Sequence, residues 1–282
     1  MNKQKILIKR EIPIVVSSNP SLGAVNLSSN SNSFDAFRVD LEQPIAIPKS
    51  AQNCELKVLS STIWSNEPNI ITDVNDKLRI TGPDTLDVIT VFDITIPQGS
   101  YSTSELNQRI QIELSNAGAK TSPDSLISIT PDEATQKIDL RIFYTGAIVD
   151  FTVANSCWQI LGFTAATVLT ATFDGESFLA TSEAAFNIIN YYLISSNLVS
   201  QGLRFNNTYR QIINQTNINV RPNSQIVSEP FNPSTISCPE LIGQVRSNFD
   251  IRLLKDDFSP SNTRGEFFSV RLAISYMEII EY

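Results

Sequence analysis

The 282-residue chain has no histidine. That absence excludes a Ser-His-Asp or Cys-His nucleophile system, and with it any imidazole base or imidazole metal ligand. Cysteine is scarce: Cys54, Cys157 and Cys238 are odd in number, far apart and never spaced C-x-x-C. No zinc site follows from them, and three buried or partly exposed thiols in a reducing compartment are expected rather than a disulfide pair. The ten glycines form neither G-x-G-x-x-G nor G-x-x-x-x-G-K, so no phosphate-cradling loop is encoded. No apolar run reaches the roughly 18 residues of a membrane helix. "IPIVV" (12 to 16) is too short for a secretory h-region and follows charged residues, so a soluble protein made in a cytosol is expected. Charge is sparse as well, at 18% of residues with a net balance of −8. A negative chain is repelled by phosphate, and its one basic cluster, "KQKILIKR" (3 to 10), reads as a solvated terminus, so nucleic acid is not an expected partner.

Carboxylates are the remaining route to catalysis. Asp256 and Asp257 in "KDD", and Asp132 and Glu133 in "PDE", could supply a glycosidase pair, but they sit where solvated turns are expected. No D-x-[DN]-x-[DN]-G loop with a closing Glu suggests calcium. Cys157 beside Trp158 reads as a structural thiol rather than a nucleophile. The sequons at Asn26, Asn206 and Asn214 carry no weight in a chain so rich in Asn, Ser and Thr. The expectation is therefore no enzyme, with no catalytic, cofactor-binding or metal-binding residues and no cofactor.

What the chain does contain is alternation. "FRVDLE" sets Phe37, Val39 and Leu41 against Arg38, Asp40 and Glu42, the period of a half-buried strand. "CELKVLSSTIW" (54 to 64), "DKLRITG" (76 to 82) and "DVITVFDITI" (87 to 96) continue the pattern, with "GPDT" as a turn. Late in the chain "FNIINYYLISSNLVS" (186 to 200), "YRQIINQTNINV" (209 to 220), "VRSNFDIRLLKDD" and "FFSVRLAISYMEII" resume it. About eight such strands, the number in a two-sheet jelly roll, are expected. Ahead of them residues 17 to 33 are rich in Ser and Asn without periodicity, and are read as part of a flexible or extended arm.

One careful helix interrupts the strands. In "IPQGSYSTSELNQRIQIEL" (96 to 114) Ser102 and Glu105 form a capping box, Tyr101 and Leu106 hold the staple positions, and Leu106, Ile110 and Leu114 make an apolar stripe. Gly118 follows as the expected stop. "LISIT", "QKIDLRIFY" and "AIVDFTV" then alternate again, and "SCWQILGF" (156 to 163) offers a second helical turn with Ser156 and Gln159 as a box and Gly162 as its end. The expected organisation is an arm at 1-33, a jelly-roll body at 34-96 and 181-282, and an inserted small α+β domain at 97-180.

In this order the motifs "IPQGSYSTSELNQRI", "SCWQILGF" and the terminal pair "FDIRLLKDD" and "FFSVRLAISYMEI" resemble minor capsid (penton) proteins of virophages, Polintons and related double-jelly-roll viruses. The resemblance covers most of residues 34 to 280, through short structural motifs. It implies an all-β single jelly-roll subunit in the virion capsid, forming homopentamers at icosahedral vertices beside a major capsid protein, with the insertion raised above the shell. A receptor- or glycan-binding spike is the alternative, with the insertion contacting a host receptor or glycan. Trp64 beside "NEPN", or Tyr191 and Tyr192, would then be its aromatics, though as core aromatics they need no ligand. The low charge and the arm suit a subunit whose flanks are buried against copies of itself and its neighbours, the arm lying along adjacent subunits.

Overall fold

The computed structural model describes residues 5–121, 125–186 and 188–281. Along the chain come β1 (Lys5–Ser17), β2 (Ala24–Asn26), β3 (Ala36–Ala46) and β4 (Gln52–Ser65). Next are β5 (Lys77–Pro83), β6 (Ile89–Thr95), α1 (Thr103–Asn116), β7 (Ile127–Asp132), β8 (Lys137–Ile142), β9 (Ile148–Asp150), β10 (Val168–Thr170) and β11 (Glu176–Leu179). The last part holds β12 (Tyr191–Ser196), β13 (Arg204–Phe205), β14 (Thr208–Tyr209), β15 (Ile212–Asn217), β16 (Ser224–Ser228), β17 (Thr235–Ser237), β18 (Val245–Leu254) and β19 (Ser269–Glu281). Two compact units result, one from residues 1–67 and 189–282, the other from 68–188.

The first unit is a sandwich of two antiparallel sheets, β1-β19-β4-β16 with β17 also on β4, and β15-β12-β18-β3-β2. Counting the eight main strands (β1, β3, β4, β12, β15, β16, β18, β19) in chain order, one sheet runs first-eighth-third-sixth and the other second-seventh-fourth-fifth. That order is a jelly roll. Alternation fills the space between the sheets: Phe37, Phe249, Ile251 and Leu253 from one meet Leu56, Ile63, Leu272 and Ile274 from the other. In β4 the buried side chains shift from Cys54, Leu56 and Val58 to Ser61, Ile63 and Ser65, because the pairing with β19 slips where Leu59 has no partner. The bulge keeps both halves of a 14-residue strand facing the core.

The expected arm is corrected. Residues 5–17 are the first jelly-roll strand, paired with β19 from Lys5↔Glu281 to Ser17↔Ser269. Ile14 and Val16 enter the core and Ile12 packs against it, while Pro13, which has no N–H to donate, sits on a sheet edge where that loss is tolerated. Lys9, Arg10 and Glu11 face solvent and disguise the run as a terminus. Residues 18–33 are held too: Asn19 caps a short turn, β2 pairs with β3, and the buried Ser33 lies with Thr263, whose hydroxyl accepts from Phe34 N–H at 2.8 Å. Serine and asparagine bond such loops to nearby backbone without any periodicity. Residues 1–4 of the expected arm, Asn187 of the strand expected over 186–200 and Tyr282 of the body lie outside the described residues.

The insertion is corrected as well, from 97–180 to 68–188. β5 and β6 belong to it, in a sheet ordered β10-β9-β5-β6, beside a second sheet β11-β8-β7. It has its own core, where Leu78, Ile80, Phe92 and Ile94 pack with Leu106, Ile110 and Leu114 of α1 and with Ile129, Leu140, Val149 and Phe151. Alternation identifies a strand but does not say which sheet it joins.

The helix explains its own care. Ser102 Oγ accepts from Glu105 N–H and Glu105 Oε2 accepts from Ser102 N–H at 2.8 Å, completing the capping box. Its end is a Schellman motif: Ala119 N–H reaches Leu114 C=O, Gly118 N–H reaches Ser115 C=O, and Gly118 has φ +86°. Between these ends Asn107 accepts from Ile129 N–H at 2.9 Å and Gln111 donates to Ile127 C=O at 2.6 Å. The helix thus covers the free edge of β7, satisfying backbone groups an open edge would expose. The second capping box is absent: Cys157–Gln159 is one 3₁₀ turn and Ser156 makes no side-chain cap. Gly162 does stop it, at φ +77°, where a Cβ would fall 2.3 Å from Ser182 C=O.

Separate cores lead us to expect that replacing residues 68–188 by a Gly/Ser linker leaves a cooperatively folded β body by circular dichroism; a wholly unfolded product would reject this division. Within the insertion, burial should outweigh capping. Ile110→Ala is expected to cost about 2–5 kcal/mol and Ser102→Ala about 0.5–2 kcal/mol, read by Trp158 fluorescence in a Trp64→Phe background during urea unfolding. Equal costs would contradict the ordering.

Candidate interaction surfaces

The carboxylates singled out in the sequence serve turns. Asp257 accepts from Ser259 N–H and its hydroxyl, and Asp132 from Ala134 N–H and Thr135 hydroxyl, which hold both acids below the usual range. Asp256 accepts from the backbone and side chain of Asn190 at 3.0 and 3.2 Å, and Glu133 is exposed. Among the described residues no three His, Cys, Asp or Glu side chains converge as a metal set. Cys157 is buried, and desolvation pushes its thiol up to about 12. Such a thiol stays protonated at neutral pH.

The aromatic candidates are split. Tyr192 is wholly buried in the sandwich and Tyr191 is half-buried. Trp64, half-buried, lines a cavity of about 230 Å³ with Asn66, Asn223, Arg264 and Glu266. The polar groups of "NEPN" are engaged internally: Asn66 donates to Thr263 C=O, and Glu67 accepts from Asn262 N–H at 2.7 Å and Ser261 hydroxyl at 3.1 Å. Burial raises the Glu67 carboxyl despite these bonds and the Lys255 ammonium 3.7 Å away. Asn69 exchanges hydrogen bonds with the Tyr101 backbone at 2.8 and 3.0 Å.

Surfaces, rather than side-chain clusters, carry the unusual features. In the body β4 pairs with β19 only as far as Met277↔Gln52, whereas β1 continues to Lys5↔Glu281. A two-stranded ribbon therefore projects past the sheet, pinned by Arg10–Glu278 at 2.8 Å, with Ile6 and Leu7 exposed. At the other edge of that sheet Val227 on β16 is exposed, and Phe231, in the loop before β17, is 97% exposed. In the insertion the β5–β6 turn and the edge strand β6 expose Leu86, Val88, Ile89 and Val91 in one stretch. Single exposed apolar residues are ordinary, but rows of them on unpaired strand edges mark association sites. Position along the sequence gave no signal for these, since exposure depends on which strands end at an edge.

The chain is similar to the mavirus penton protein, with 13% sequence identity over 98% of this chain and 100% of that one and a TM-score of 0.45. It is also similar to a chain of the Sputnik virophage particle seen by cryo-electron microscopy, with 12% identity over 95% and 97% of the two chains and a TM-score of 0.42. No protein-family model and no curated protein matches the chain.

Acid should act unevenly on the two units. Asp93, paired with Arg79, Glu105, bonded to Ser102, Asp132 and Asp174 all lie in the insertion with lowered pKa values. Depressed carboxylates contribute stability above their unfolded pKa near 4 and lose it as pH falls through the folded value. In the body Asp257 is lowered too, but Glu67 has the opposite sign, so protonating it relieves a burial cost that offsets the loss at Asp257. Between about pH 5 and 2, urea midpoints read from Trp158 should therefore fall more steeply than those read from Trp64; parallel curves would contradict this. Replacing the exposed Phe231 by Ser should change body stability by no more than about 0.5 kcal/mol, and a larger loss would mean the ring is packed.

Proposed function

We propose that the chain is a structural virion protein, the minor capsid (penton) subunit of a virus whose shell is otherwise built by a major capsid protein. It assembles as a homopentamer at icosahedral vertices. The observation that carries this reading is the eight-strand jelly-roll order, interrupted between the third and fourth strands by a unit with its own core, in a chain whose motif order resembles such subunits. Closed rings of identical subunits bury the same two patches repeatedly, and exposed apolar edges suit that geometry. The low charge lowers the desolvation cost of burying the flanks. In place of a free arm, the β1–β19 ribbon and the Phe231 loop are the contacts toward neighbouring subunits. Phe231 has the size and exposure of an anchor residue.

A receptor-binding role for the insertion is the second reading, favoured by the apolar row from Leu86 to Val91. It is compatible with a penton, because a vertex subunit can carry both.

Native mass spectrometry of the purified protein tests the first reading. A fivefold oligomer is expected, weakened by Phe231→Ser with circular dichroism unchanged, and a protein that stays strictly monomeric at high concentration would overturn it. Deleting residues 1–17 separates the strand from an arm: loss of the β fold is expected, since β19 would lose its whole outer partner, whereas a folded but assembly-defective protein would restore the arm.

A further inference from the structure

Two of the three cysteines meet. Cys54 lies near the start of β4, and Cys238 directly follows β17. The β17–β4 register, Thr235↔Lys57, Ile236↔Leu56 and Ser237↔Glu55, carried one step further sets Cys238 opposite Cys54. Cys238 N–H donates to Cys54 C=O at 2.9 Å, and the sulfurs are 3.4 Å apart. Opposed residues of an antiparallel pair have Cα separations of about 4.5–5.5 Å, inside the range a disulfide spans. Both thiols are buried, at 2% and 0% exposure. Their sequence neighbours are not: Asn53 and Glu55 line a surface cavity of about 210 Å³, and Ser237 and Pro239 line one of about 540 Å³.

We infer that Cys54 and Cys238 form an oxidisable dithiol, a covalent modification site that a low-molecular-weight aliphatic disulfide converts to a disulfide stapling β17 to β4. Either sulfur can donate in the contact between them, so each thiol can stabilise the other's thiolate. Cys54, at 2% exposure against 0% for Cys238, is the one the oxidant reaches, and it is the attacking group even though burial, Glu240 and Glu55 oppose its charge. The Cys54 thiolate attacks one sulfur of the oxidant, forming a mixed disulfide and releasing one small thiolate. Cys238 then loses its proton and attacks Cys54 Sγ, expelling the second small thiolate. Two protein thiols become one disulfide, the oxidant is reduced to two small thiols, and the two protons end on those products. Glu55 and Glu240 favour a cationic oxidant, so cystamine is the suitable probe.

The staple would act on the body. It closes a loop of 184 residues that contains the whole insertion, and cross-links over long loops restrict the unfolded chain most. Its two sulfurs sit on the segments before and after the insertion, so it also holds the body together if the insertion is cut.

Incubating the folded protein with cystamine tests this. Two of the three thiols should be lost, with a mass decrease of two hydrogens, a peptide map joining Cys54 to Cys238, and Cys157 still free. Protease cleavage within 68–188 should give fragments that separate on a denaturing gel only after reduction. The thermal midpoint of the body should rise by several degrees and return with reductant. Cysteamine remaining on Cys54, a disulfide through Cys157 or between molecules, or an unchanged midpoint in the cross-linked protein would each overturn the inference. Cys238→Ser, which should hold cysteamine on Cys54 with no internal link, keeps the test independent of any stability effect.

Discussion

Strand β4 has to satisfy its backbone along both edges, and the body depends on how it does so. One edge takes β19; the other is divided between β16, opposite Ser61 to Ser65, and β17, opposite Glu55 to Lys57. A buried strand cannot leave these groups unpaired without losing the equivalent of several hydrogen bonds. The bulge at Leu59 follows from the same demand, because without it half of the strand would turn its apolar side chains to solvent. Strand β19 then needs β1, and the sheet needs the opposing β3-β18-β12-β15 layer to cover Leu56, Ile63, Leu272 and Ile274.

Polar groups inside this core are matched in places, although the buried Tyr192 hydroxyl has no hydrogen-bond partner among the described residues. Ser61 Oγ and Thr216 Oγ1 meet at 3.2 Å between the two sheets, both buried. Glu67 is the expensive one, since its neighbours lower its carboxyl and burial raises it further. It sits at the last residue of the body before the chain enters the insertion, where Ser261 and Asn262 hold it. A buried acid with three donors around it fixes a backbone position more sharply than apolar packing would, because losing any one donor leaves charge uncompensated.

Much of this was legible in the residues and some was not. The alternating runs at 36–46, 245–254 and 269–281 are strands because their one-sided burial leaves no other register for Phe37, Phe249 or Leu272. The capping box and Gly118 were legible because caps are local, written in four or five adjacent residues. β1 was missed because Arg10 interrupts its inward face and Pro13 breaks its appearance, although a strand edge tolerates both. The boundary at 68 was missed for a different reason: β5 and β6 look like the body strands, and only the partners of Leu78 and Phe92 reveal a second core. Surface features such as Phe231 carry no pattern, and the proximity of Cys54 and Cys238 arises from a pairing across 184 residues.

That separation also constrains how the chain folds. Joining β17 to β4 closes a loop of which the insertion supplies roughly two thirds. If the insertion were an unstructured tether, tripling the loop in this way would raise the closure cost by about 1 kcal/mol. A folded insertion removes most of that cost, because its ends are then held at a set distance instead of wandering. Its contacts are also more local: β5 pairs with β6 across a tight turn, and α1 packs on the strands next to it in sequence. Local contacts form faster than the pairings of β1 with β19, which join the two ends of the chain. The local contacts of the insertion, with its well-capped helix, thus lower the entropy that pairing β17 with β4 has to overcome.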